Sequence, residues 1–255
     1  MRYKHKSISG LSQSPLIIFI QAMTKKQEII SVSNLTKKIN GRTILDKLSF
    51  SMDEGDVLGI IGPNGSGKST LLKIILDLVN PSSGVCKKQK NTKTSAMLEK
   101  PGFYPDFSIE KNLKIFLANE NFKEEEFEDI FNLFHLEKFK NKKFRHCSTG
   151  MKKRCELVAC LAKSPGLLIL DEPTNGLDPS GIMEFRNLLA VANSGGTTIL
   201  LTSHILSEVD RLCTRLLFIK EGRLIDFSTK ESLLHRFLNL EEAYNYFMGV
   251  ITEPL

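Results

Sequence analysis

The chain has 255 residues, 41% of them hydrophobic and 25% charged, enough apolar material for one large domain or two small ones with a sizeable core. Its longest early apolar run, Leu16 to Ile20, is far short of the roughly 20 residues that span a bilayer, so any membrane span must come from another chain. The formal charge of +6 is concentrated in residues 1–26, which hold Arg2, Lys4, Lys6, Lys25 and Lys26 and no acid; the remainder has 30 basic against 29 acidic side chains, which argues against a nucleic-acid footprint.

Residues 1–26 read as a basic extension that is either disordered or upstream of a start at Met23. From Glu28 the pattern turns strand-like. Ile29–Leu35 and Ile44–Met52 alternate around an Asn40-Gly41 turn and predict an antiparallel pair. Val57–Ile61 is a short, wholly apolar strand of the kind buried on both faces. A glycine-rich loop follows, then a predicted helix from Lys68 to about Leu78, ended by Asn80-Pro81-Ser82-Ser83-Gly84. Ser108 to about Lys143 carries Phe116, Phe127, Phe131, Phe134 and Leu136 at helical intervals and predicts a helical insertion. Further along come a helix over Ser148–Ala162, a strand over Leu167–Leu170 and a helix over Ser180–Ala192. A strand over Thr197–Thr202, a helix over Ile205–Leu212, a hairpin around Glu221-Gly222 and helix from Thr229 complete the pattern. Strands alternating with helices imply a mostly parallel sheet, whose ligands gather at the carboxyl ends of its strands. The cysteines Cys86, Cys147, Cys155, Cys160 and Cys213 form no CxxC pair and no metal-ligand spacing, which fits structural thiols in a reducing compartment.

Two motifs follow short apolar strands directly. Gly62-Pro63-Asn64-Gly65-Ser66-Gly67-Lys68-Ser69-Thr70 fits G-x-x-x-x-G-K-[ST] in full. Its glycines let successive N–H groups point at phosphate oxygens, and the next helix adds its positive end. Lys68 is suited to the β- and γ-phosphates and the Ser69 hydroxyl to Mg²⁺. The second motif, Leu167-Leu168-Ile169-Leu170-Asp171-Glu172, is a buried strand ending in two carboxylates. The first is placed to hold the magnesium and the second to polarise the attacking water.

In this order and spacing the motifs resemble the ATP-binding subunit of an ABC transporter over about residues 27–240. The resemblance implies an α/β fold of the P-loop NTPase type. Such a fold has a mostly parallel core sheet, an N-terminal antiparallel β subdomain, an inserted helical subdomain at about 106–162 and a tail at 241–255. Asp171-Glu172-Pro173-Thr174 with Asn175-Gly176-Leu177-Asp178 resembles the Walker B and D-loop run. Cys147-Ser148-Thr149-Gly150-Met151 stands where the family carries its LSGGQ signature, and His204 matches its switch histidine. The family closes its site as a head-to-tail dimer, with itself or a homologous ATPase. There Ser148, Thr149, Gly150 and Met151 would meet the γ-phosphate held by the partner, with Asp178 at the seam. Glu172 and His204 would be catalytic. A membrane-spanning permease on the inner face of a bacterial cell membrane would be the transport partner.

The departures are informative. Thr149 and Met151 replace a glycine and a glutamine of the signature. Ile39 stands where an aromatic residue usually stacks on adenine, so apolar contact would survive without π-stacking. Glu99 occupies the place of the Q-loop glutamine, which would set a carboxylate beside Mg²⁺. That substitution, with the following Pro101-Gly102-Phe103-Tyr104-Pro105, looks like the bacitracin-exporter and lantibiotic-immunity branch. Two other readings remain open. A soluble ATPase of the same superfamily acting on nucleic acid or ribosomes would have a basic excess that the core lacks. A nucleotide-gated interaction module without turnover would lack Glu172 or His204.

Overall fold

The computed structural model describes residues 27–98, 102–120, 123–134 and 136–253. The 1–26 extension and Glu99 lie outside the described residues. The chain opens with strands Glu28–Ile39 (β1) and Arg42–Asp53 (β2), which pair antiparallel across Asn40-Gly41. Both turn residues sit at positive φ, the condition for a tight two-residue hairpin. Val57–Ile61 (β3) is buried at all five positions and feeds the helix Lys68–Ile75 (α1). That helix ends earlier than its apolar spacing predicts, because Asp77 enters the left-handed region at φ 58° and breaks the ladder. Two strands absent from the predicted pattern follow, Ser83–Lys88 (β4) and Thr94–Met97 (β5). The first is half exposed and the second only four residues long, so neither carries a clear period.

The insertion consists of helices Ile109–Phe116 (α2) and Glu124–Leu133 (α3), 3-10 turns at Glu137–Phe139 and Phe144–His146, and the helix Thr149–Ala162 (α4). Leu167–Leu170 (β6), Pro179–Ser194 (α5), Thr198–Ser203 (β7) and Leu206–Leu212 (α6) come next. The hairpin strands Arg215–Lys220 (β8) and Arg223–Thr229 (β9) and the helices Lys230–Leu234 (α7) and Leu240–Phe247 (α8) end the described chain.

β2, β1 and β4 make one antiparallel sheet, and a six-stranded sheet has the order β5-β6-β7-β3-β8-β9, parallel except for its last pair. The order sets the site. β7 lies between β3 and β6, with Ile61 beside Ser203 and Leu170 beside Leu201. The segments that leave the three central strands therefore emerge side by side at one edge of the sheet. One apolar cluster packs the antiparallel sheet and α1 on one face of the parallel sheet, through Leu35, Leu48, Leu72 and Ile75. A second covers the other face with Phe185 and Leu189 of α5 and Leu240 and Ala243 of α8. Phe247 of α8 also packs against Phe218 in a tilted pair, ring centroids 4.8 Å apart, so the stretch read as a tail begins within a helix of the core. A third cluster belongs to the insertion, where Leu113, Phe127, Phe131 and Phe144 meet Cys155 and Val158 of α4.

Candidate nucleotide site

Leaving β3, the backbone turns at Gly62 with no room for a side chain: a Cβ there would lie 2.1 Å from the carbonyl oxygen of Ile219. Gly67 ends the loop at φ 105°, where a Cβ would stand 2.5 Å from Leu45 Cδ2. Both positions require glycine. The loop is pinned from behind by the Gly222 N–H, which donates to the Ser66 carbonyl at 3.1 Å. Lys68, at 6% exposure, folds its ammonium back onto the loop and donates to the carbonyls of Gly62 (2.8 Å) and Pro63 (3.3 Å). No side chain caps α1, so the N–H groups of its first turn have no partner within the helix. They belong to Lys68, Ser69 and Thr70, which line a cavity of about 820 Å³ together with Asn64, Gly65 and Gly67. Unpaired amides, a helix N-terminus and an inward ammonium form a donor set that fits a polyphosphate.

The opposite wall is the end of β6. Asp171 and Glu172 line the same cavity, as does His204. The fully buried Thr202 ties the two carboxylate residues together: its hydroxyl donates to Asp171 Oδ1 at 2.7 Å and accepts from the Glu172 N–H at 2.8 Å. The Glu172 carboxylate lies between two nitrogens, with Oε2 2.7 Å from His204 Nδ1 and Oε1 3.7 Å from Lys68 Nζ. Among the described residues no cluster of three or more His, Cys, Asp or Glu side chains could hold a metal alone. A magnesium held by one or two protein groups and by phosphate oxygens needs none. Ser69 and Asp171 both line the cavity and suit that role; Glu99, the third expected ligand, lies outside the described residues.

The signature residues divide. Ser148 caps α4, its Oγ accepting from the Met151 N–H at 3.2 Å. Thr149 lines the large cavity of its own chain, followed on the same helix by Lys152, Lys153 and Glu156. Ser148, Gly150 and Met151 instead line a separate cleft of about 170 Å³, shared with Asp178. Asp178 caps α5 and accepts from the Gly181 N–H and the Ser180 hydroxyl, both at 3.0 Å, which together hold its carboxyl below the ordinary range. Ile39 is 45% exposed at the end of β1 and does not line the cavity; Ile44 of β2 does.

Residues that sequence reasoning missed complete the wall. The Lys153 ammonium donates to the Glu172 carbonyl at 2.8 Å, and burial pulls its pKa down against the opposing pull of Glu156, Glu172 and Glu208. Glu156 is 8% exposed and its Oε1 has no hydrogen-bond partner among the described residues. Burial pushes its pKa up to about 7, with Lys153 and Lys152 opposing. Glu208 bonds the Thr174 hydroxyl and is likewise raised by burial.

Comparison with known proteins agrees with this geometry. The model of a family described as "ABC transporter" matches residues 45–175. A lantibiotic transport ATP-binding protein of Streptococcus pyogenes, SrtF, is 36% identical over 227 residues, covering 85% of this chain and 96% of that protein. The bacitracin transport ATP-binding protein BcrA of Bacillus licheniformis is 37% identical over 213 residues, 78% of this chain and 69% of its own. Among solved structures, an ATP-binding subunit of an ABC transporter superposes with a TM-score of 0.77 at 26% identity, covering 86% of this chain and 99% of that one. The cbiO1 protein of Clostridium perfringens, part of an ABC transporter complex, gives 0.74 at 26% identity, with 86% and 95% covered. Among the described residues no helix is long and apolar enough to cross a membrane.

Proposed function

Because the chain belongs to the ABC transporter family as an ATP-binding subunit with ATPase activity, we propose that it hydrolyses ATP·Mg²⁺ between Gly62–Thr70 and the Asp171-Glu172 strand end. The energy drives export of a peptide antibiotic, a lantibiotic or a drug through a separate membrane subunit. The observation that carries the reading is the single cavity that gathers Lys68, Ser69, Asp171, Glu172 and His204. The names of the similar lantibiotic and bacitracin transport proteins support the cargo class.

The residues then divide the work. The loop amides and the α1 N-terminus bind the phosphates, and the Lys68 ammonium exchanges the carbonyls of Gly62 and Pro63 for phosphate oxygens. Ser69 and Asp171 would hold Mg²⁺, which neutralises charge on the transferring phosphate. Glu172 accepts a proton from the attacking water as its oxygen bonds to the γ-phosphorus and the bond to the ADP oxygen breaks. His204, against the Glu172 carboxylate, fixes that acceptor and faces the same phosphate. Ile44 supplies apolar contact near the base, in place of the expected Ile39. The cleft of Ser148, Gly150, Met151 and Asp178 is offered to the nucleotide of a second subunit in a head-to-tail dimer. ATP favours the closed dimer and hydrolysis releases it, and that difference in affinity does work on the membrane subunit. Such a complex places the chain on the cytoplasmic face of a bacterial membrane.

Two measurements test the proposal. Lys68→Ala is expected to abolish ATP binding and hydrolysis; retention of both would remove the phosphate site. Affinity purification from bacterial membranes is expected to recover a membrane-spanning chain, and purification alone or with ribosomes would reject the transport reading.

A further inference from the structure

Glu172 occupies a backbone state that a glutamate rarely adopts. Its φ is 48°, in the left-handed region, where a non-glycine residue is strained and persists only when its surroundings hold it there. Five contacts hold it. Thr202 of β7 fixes its N–H, while His204, just after β7, and Lys68, at the start of α1, face its carboxylate. The other two are on the carbonyl, which accepts from the Asn175 N–H at 3.3 Å and from Lys153 Nζ at 2.8 Å. Lys153 belongs to α4, the helix that closes the insertion. It lies five residues beyond Ser148, outside every motif assigned above.

We propose that Lys153 is a positioning residue: its ammonium clamps the peptide that follows Glu172 and thereby aims the Glu172 carboxylate at the attacking water. The inference rests on Glu172 being the proton acceptor, as proposed above. Its physical basis is the geometry of a two-sided grip. With N–H and C=O both held, the backbone at 172 cannot relax from φ 48°. Without Lys153 the carbonyl keeps only the longer bond from the Asn175 N–H, at 3.3 Å, so the peptide gains freedom to rotate and the carboxylate moves with it. A displacement of about 1 Å at a catalytic group is enough to cost on the order of 100-fold in rate. Lys153 is half-buried near Glu156, Glu172 and Glu208, whose charges offset part of the cost of burying its ammonium. Because the grip spans two parts of the chain, it forms only when α4 sits against the end of β6. The position of the insertion is thus coupled to the readiness of the base.

Steady-state ATP hydrolysis and equilibrium ATP binding by the full chain test this. Lys153→Met is expected to lower kcat about 10–100-fold while KM and ATP affinity change by less than about threefold. Lys153→Arg, which can donate to the same carbonyl, should recover part of the loss. In a Glu172→Gln background, Lys153→Met should cause no further loss, because its effect passes through the carboxylate. Lys153→Gln serves the same test if the Met variant does not fold. An unchanged kcat, or an equal loss in the Gln background, overturns the positioning role. A matching loss of ATP affinity would make Lys153 a phosphate-binding cation instead, and also overturns it. If Glu172→Gln alone still hydrolyses ATP at the parent rate, the assignment of the base fails, a result distinct from the others.

Discussion

Two helices begin at the edge of the nucleotide site, and their first turns are treated in opposite ways. α1 starts at Gly67 with no side-chain cap, so its leading amides are left for a ligand. α4 starts at Ser148, whose own hydroxyl accepts the Met151 N–H. The first end, assigned to phosphate in the function proposed above, is built entirely within one chain, from β3, the loop and the back of the β8–β9 hairpin. The second is a finished cap. It opens on a smaller cleft beside Asp178, and can take part in phosphate binding only if something is brought to it. On the function proposed above, the contrast assigns the holding of ATP to one subunit and the closing over it to a second.

The largest effect separates holding from hydrolysing. Glu172→Gln keeps the shape of the side chain and removes the proton acceptor. Loss of a general base costs about 10²–10⁴-fold in rate, so turnover should nearly vanish while ATP still binds at the α1 end. The same variant should accumulate as an ATP-bound dimer on size-exclusion chromatography with multi-angle scattering. If it remains monomeric at saturating ATP, the α4 cleft does not meet a second nucleotide, and the comparison loses its functional meaning.

A smaller effect is expected on the α4 side of the cavity. Glu156 has an ordinary carboxyl pKa in the unfolded chain and one near 7 in the folded protein, raised by burial. Between about pH 4.5 and 7 the unfolded state loses the proton and the folded state keeps it. Stability therefore falls as pH rises through that window, and the penalty is complete above it. Glu156→Gln, which cannot ionise, should raise the Tm relative to the parent by a few °C at pH 8, and by much less at pH 5. A gain of equal size at both pH values would show that the carboxylate is not strained by its burial.

The site was legible in the sequence wherever chemistry demands particular residues at fixed spacing. Only glycine fits at Gly62 and Gly67, only a lysine reaches back from α1, and a buried strand must end before Asp171. Those constraints are local. Thr202 was not legible as a partner of Asp171, because the two are 31 residues apart and meet only when β7 pairs with β6. Lys153 carried no signal in the sequence, since nothing in its neighbours announces a carbonyl 19 residues ahead. The family resemblance pointed to Ile39 for apolar contact, whereas Ile44 of β2 is the isoleucine that lines the cavity, a placement set by how β2 pairs with β1. Among the strands, β3 and β6 carried a clear apolar signature, and β4 and β5, at the sheet edges, did not.

The smallest expected effect returns to the two helix ends. Ser148→Ala removes the cap of α4 and should cost about 1 kcal/mol of stability, a Tm decrease of about 2–4 °C for a chain of this size. Ser148→Asn restores a capping oxygen at that position and should return most of the loss. Neither change touches α1, so ATP affinity of the isolated chain should stay near that of the parent. If Ser148 also meets a second nucleotide, Ser148→Ala will weaken ATP-driven dimerisation in the Glu172→Gln background beyond what the lost cap explains. Asn would restore stability there but not association, because its amide differs from a hydroxyl in reach and donor geometry. A common recovery of both by Asn would reduce Ser148 to a helix cap, leaving Gly150 and the α4 dipole to make the contact across the seam.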